Sequence, residues 1–264
     1  MTELSALDAV VRNAARVRLA EVRTPAECSV DLAQPGERDR LRAAMVVESL
    51  PGAACACAGD VRFEFVDSEG ASLADAVLHH GVALRWDGWQ GLAVLQDGGL
   101  LLRWLDEHSL RGPLRQAEEA ATQRQKAAAE EAAWLAAAPP ALRELVESML
   151  RSELGVDLSA EFVAEARELL WRAVPDPVDR VLSLLVWCGS GSGRLSGYPS
   201  HEKLPDLLLR DVPIAEIIAG LQAPHADGRH TKGAVRHLRG WRTRRKQKRD
   251  LAALPEELKA RLLI

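Results

Sequence analysis

Arg111-Gly112-Pro113 separates two kinds of hydrophobic pattern. Before it, apolar residues alternate in short runs broken by turn residues. After it, they recur at helical spacing with few interruptions. A period of two and a period of 3.6 demand different elements. The chain is therefore predicted to be α+β: a mixed domain with antiparallel strands over residues 1–111, a connecting helix over 112–140, and an all-helical domain over 141–264 with a basic helix near its end.

Within the first part, residues 3–13 read as a helix with Leu4, Leu7, Val10 and Val11 spaced for one face, and "ARVRLAEV" alternates like a strand. "GERDRLRAAM" reads as a short helix. Val61, Phe63 and Phe65 share one face of a second strand, "DSEG" supplies a turn, and two more strand-like runs follow. "DGGLLLRWLDEH" opens with a cap-like Asp and closes the unit as a helix. Beyond Pro113, the Ala-, Glu-, Gln- and Lys-rich run up to Pro139-Pro140 is a strong helix former with a thin apolar stripe. Short helices then follow, with Ser159 and Asp176-Pro177 at two starts.

No run approaches the ~20 apolar residues that span a bilayer, so no membrane partner is expected. The N-terminal residues lack a secretion signal, and the four cysteines are expected to stay reduced in the cytoplasm. Charge is uneven. Residues 229–249 hold ten Lys/Arg and no Asp/Glu, and with a net charge of −4 the remainder carries −14. Ala234, Leu238 and Trp241 form a stripe that would dock the first half of a single helix. Its second half would present Arg242, Arg244, Arg245, Lys246, Lys248 and Arg249 to phosphates or an acidic partner.

Three other clusters draw attention. Cys55, Cys57 and His79 are candidate zinc ligands, but adjacent His79 and His80 would point to opposite faces of a strand, and a fourth ligand is not apparent. A core or turn role is expected for them in place of a metal. Arg85 faces away from Trp86, which shares parity with Leu84 and is expected in the core. Arg85 suits either an anion contact stacked on Trp89 or an ion pair with Asp87 or Glu64. The glycine-rich loop containing Gly189, Gly191, Gly193 and Tyr198 follows a helix and lacks a P-loop lysine, so it reads as a ligand or partner loop and not as a nucleotide motif.

The motifs "CACAGD", "HHGVALRW" and "GSGRLSGYP" together resemble those of bacterial proteins with no assigned activity. The resemblance implies only that the two halves belong to one architecture. No G-x-S-x-G elbow, H-E-x-x-H or informative acid pair is present, so no catalytic residue and no cofactor are assigned. The expected function is a cytoplasmic, non-catalytic protein-interaction or regulatory factor with a protein partner. The alternatives are a nucleic-acid-associated protein using 229–249, and a zinc-dependent or other enzyme with a site near Cys55 and His79.

Overall fold

The structure is a computed structural model describing residues 6–52, 55–152, 155–156, 158–193, 199–239 and 244–262, with the side chains of 244–248 left aside and Leu4 outside the described residues. It has an antiparallel sheet in the N-terminal half and mostly helices afterwards, which is the α+β class. Two compact units divide the chain at Arg124/Gln125.

In chain order, the first unit comprises α1 (Ala6–Asn13), β1 (Arg16–Glu21), β2 (Glu27–Asp31), α2 (Glu37–Ala44), β3 (Val47–Ser49), β4 (Val61–Val66), β5 (Ser72–His79), β6 (Ala83–Trp86), β7 (Leu92–Leu95) and α3 (Gly98–Glu107). The seven strands lie in the order β2-β1-β4-β5-β6-β7-β3, all pairs antiparallel. Alternation decides which face is buried: Val17, Leu19, Val61, Phe63 and Phe65 are buried, joined in one core by Leu7, Leu41, Leu101 and Leu105 of the helices. The opposite parity carries charge, with Arg18 paired to Glu64 and Arg62 to Asp75 across neighbouring strands. The DSEG turn forms as expected, Asp67 Oδ1 accepting from the Glu69 and Ala71 N–H groups at 2.9 Å. Asp97 caps α3 by accepting from the Leu100 N–H. Edge strand β3 has three residues and a register shift, and edge strand β2 exposes Glu27 and Asp31.

Trp86 is half-buried and packs against the core, as its shared parity with Leu84 suggests, whereas Val82 is exposed. The strand starts only at Ala83, and the pleat does not reach back to Val82. Trp89 takes the buried place, edge-on to Trp86 at 5.2 Å between ring centres.

α4 (Gly112–Ala136) runs through the division between the units. Every residue from Glu118 to Ala129 is exposed. A helix that is solvated all round has only its own propensity and pairs such as Lys126–Glu130 to sustain it.

The second unit continues through α5 (Arg143–Leu150), α6 (Ala160–Ala173), α7 (Pro177–Ser190), α8 (Leu204–Leu209), α9 (Ile214–Gln222), α10 (Gly228–Leu238), α11 (Arg244–Ala253) and α12 (Glu256–Leu262). Ser159 and Asp176 cap α6 and α7 as their residue types suggested. Trp134 and Trp187 are fully buried, 4.9 Å apart, and His201 packs on Trp134 at the same distance.

Burial holds the His201 imidazole below its ordinary range, with Glu131 and Glu202 opposing. The unfolded chain therefore binds a proton near pH 6.5 that the folded chain refuses. Stability is full above that pH and falls as pH drops toward the depressed folded value, with a slope of at most about 1.4 kcal/mol per pH unit from this group. Urea unfolding at pH 7.5 and 5.5 is expected to show a steeper loss for the native chain than for His201→Phe. Equal losses would show that other groups set the acid sensitivity.

Candidate metal centre

Two segments meet where β5 ends. His79 is the last residue of β5 and is fully buried. The chain then turns through His80 (φ 54°) and Gly81 (φ 69°), and the Val82 N–H closes the turn on the His79 carbonyl at 3.1 Å. Two successive left-handed residues end the pleat, so the rule that adjacent side chains point to opposite faces stops applying at His80. Both imidazoles approach Cys57, but only one of them, His80, lies with both cysteines in a single ligand-sized group.

The cysteine segment is held against that turn by Gly59 and Asp60. Asp60 Oδ2 accepts from the Gly81 N–H at 3.0 Å, and the Asp60 N–H donates to the Leu78 carbonyl at 2.7 Å. Gly59 sits at φ 91°, and a Cβ there would overlap Val77 and come within 2.9 Å of the Leu78 carbonyl oxygen. Only glycine combines that backbone angle with so close an approach. The Gly-Asp of the motif thus docks the Cys-x-Cys loop, and the second Gly shapes the histidine turn.

This arrangement converges four side chains. Cys55 Sγ lies 3.0 Å from Cys57 Sγ and 3.3 Å from His80 Nε2. Cys57 Sγ lies 3.5 Å from His80 Nε2 and 3.1 Å from His79 Nδ1. The Cys55, Cys57 and His80 ligand atoms all fall within 4.8 Å of one another. The Cys57 N–H points to the Cys55 sulfur at 3.4 Å, and the Gly59 N–H donates to Cys57. Backbone donors on sulfur favour thiolate, the form that binds metal. The Cys57 thiol and backbone N–H, with His80, lower Cys55 to about 7. Cys57 is pushed up, chiefly because its neighbour is the better acceptor. Burial, with the nearby Arg85 charge, holds His79 below its usual value.

Of the candidates read from sequence, Cys55, Cys57 and His79 come together, and His80 joins them. His80 was legible only as half of a pair. Arg85 is exposed on β6, and Glu64, one of its expected partners, is engaged by Arg18.

The described part of the glycine loop serves the interior. Gly189 lies within α7, where a Cβ would come within 2.8 Å of the Gly233 nitrogen. A Cβ on Gly191 would overlap the Arg236 guanidinium, and Gly193 donates its N–H to Glu202 at 3.3 Å. Glu202, which is buried, also accepts from the Ser192 N–H at 2.7 Å and its hydroxyl at 2.8 Å, and pairs with Arg236. The loop's donors therefore wrap a carboxylate of the chain itself. A cavity of about 440 Å³ opens beside it, walled by Gly191, Lys232, Val235 and Arg239. Tyr198 lies outside the described residues.

The basic segment is two helices, not one. α10 ends at Leu238 with Arg239 as its cap, and α11 starts at Arg244. The stripe drawn from Ala234 through Leu238 therefore cannot be extended to Arg245 and Lys248. Ala234 and Leu238 are buried as expected. Trp241 and Arg242 lie outside the described residues, as do the side chains of Arg244, Arg245, Lys246 and Lys248; Arg249 is exposed. Among the described residues of this segment, Arg229 pairs with Asp227 and Arg236 with Glu202. Compared with protein-family models, curated proteins and solved structures, the chain finds no match, and its functional reading rests on its own residues.

Proposed function

We propose that this chain is a metal-binding protein whose first unit holds one soft divalent ion, zinc by chemistry, on Cys55, Cys57 and His80. The observation that carries the reading is the convergence of two sulfurs and an imidazole nitrogen within 4.8 Å. Two ligands on one tetrahedral zinc lie about 3.5 Å apart for S and N and about 3.8 Å for S and S. The two S–N separations to His80, 3.3 and 3.5 Å, already match. The S–S edge, at 3.0 Å, has to open by nearly 1 Å. Cys55 and Cys57 are half-buried on a loop and not in a strand, so the loop can supply that movement. Thiolate ligands select zinc or copper over magnesium or calcium. A reducing cytoplasm suits free thiols, and a bound ion would tie the loop before Asp60 to the turn after β5. That fits the expected role of a non-catalytic regulatory or interaction factor, with the ion as a structural or switching element.

Chain purified under reducing conditions and loaded with zinc is expected to retain about one equivalent by elemental analysis. At an ion concentration about 100-fold above Kd, its unfolding midpoint should rise by the equivalent of about 2.7 kcal/mol. Cys57→Ser should abolish both effects while leaving the metal-free chain folded. Retention of less than a tenth of an equivalent by the native chain sinks the reading.

A further inference from the structure

His79 and His80 are neighbours in sequence but stand differently to the two sulfurs. His80 Nε2 faces both sulfurs at separations suited to a shared ion. His79 Nδ1 faces Cys57 alone, at 3.1 Å. The ligand atoms of Cys55, Cys57 and His80 lie within 4.8 Å of one another, and His79 is not part of that set. His79 is also fully buried and fixed in register opposite Ala83, so it cannot swing toward solvent. Its second nitrogen, Nε2, is buried without a hydrogen-bond partner among the described residues and lies against Gly59. A ligating histidine ordinarily donates its other N–H to an acceptor, and none is present. His79 has the geometry of a donor that steadies the Cys57 thiolate from behind.

Among the described residues the ion would have three protein ligands, which leaves one tetrahedral position. Three ligands with a free position is the arrangement that admits exogenous groups, in contrast to a closed structural site. His80 is exposed, so the cluster reaches solvent on that side. Zinc on two thiolates and a neutral imidazole has no net charge. A soft, already sulfur-ligated ion favours a soft ligand over a hard one.

We infer that the metal centre at Cys55, Cys57 and His80 keeps an exchangeable fourth position that takes a small thiolate, with His79 as a positioning residue and not a ligand. Binding replaces a metal-bound water: the thiol sulfur forms the bond to the metal, the thiol proton goes to solvent and the water leaves. No electron is transferred. This rests on the metal-binding reading above.

Cobalt(II) in place of zinc reports the site directly, because its visible bands follow ligand type and number. The probe is 2-mercaptoethanol titrated at millimolar concentration into the cobalt-loaded full chain, with Cys57→Ser as the blank. The expected result is a saturable, one-to-one shift of the visible bands and a gain of about half in the thiolate-to-cobalt charge-transfer intensity, as two sulfurs become three. His79→Phe should still load cobalt with a two-sulfur spectrum and respond to the thiol. A native spectrum that does not respond, or loss of one nitrogen ligand in the His79 variant, overturns the open position and leaves the metal site standing. Absence of any thiolate-to-cobalt band overturns both.

Discussion

Gly233→Ala is expected to destabilise the second unit by about 3 kcal/mol or more, a fall in its unfolding midpoint of roughly 10 °C. The added Cβ would overlap the Leu185 carbonyl oxygen and lie 3.0 Å from Leu185 Cα. Both atoms are main chain, within the body of α7, so no side-chain rotation relieves the clash. The two helices must separate, and the contacts that Ala234 and Leu238 make in the core go with them. Alanine's better helix propensity returns only about 1 kcal/mol. Gly228→Ala is the matched control. It stands at the first position of the same helix with nothing within 4 Å of its Cβ, and it should be neutral or mildly stabilising. Calorimetry of the two variants side by side settles the point: equal midpoints would mean that α7 and α10 are not packed at their glycines.

Glu202→Ala should cost about 3–5 kcal/mol. The carboxylate is buried against Arg236 and accepts both donors of Ser192 and the Gly193 N–H. Burial alone would raise its pKa, but the hydrogen bonds from Arg236 and Ser192 win and hold it below the ordinary carboxylate range. Removing it leaves a guanidinium in a dry setting without its counter-charge, and strips the loop donors of their acceptor. The double variant Glu202→Leu/Arg236→Met should recover a large part of the loss, since an apolar pair carries no desolvation cost. Chemical denaturation of the singles and the double measures the coupling. Single variants within 0.5 kcal/mol of the native chain would exclude this pair as the anchor of the loop.

What the sequence revealed, and what it hid, follows from range. β4 was legible because Val61, Phe63 and Phe65 alternate over a full strand, and α3 because Asp97 is a local cap. β2, β3 and β7 were not recognised: each is five residues or fewer, and "LAVL" has no alternation to distinguish it from helix. β5 alternates less cleanly than β4 because its last residues are buried on both faces, His79 as well as Leu78. At the metal centre the ligand types were visible but the convergence was not. It depends on left-handed angles at Gly59, His80 and Gly81, which a straight pleat lacks. Histidine is among the residues that tolerate such angles, and its position just before Gly81 was the available signal. Glu202 gave no signal, because its partners Ser192 and Arg236 lie 10 and 34 residues away in sequence.

The ends of the sheet have a consequence for how copies of this chain behave at high concentration. An open sheet edge is a template on which another strand can grow. Here each growth point is poisoned differently. β3 offers only three residues, and its shifted register spoils the spacing that a fourth partner would need. β2 is longer, but incoming chains would meet the acids Glu27 and Asp31, and an identical β2 would bring the same charges against them. Both features discourage a ladder from growing between molecules at these edges.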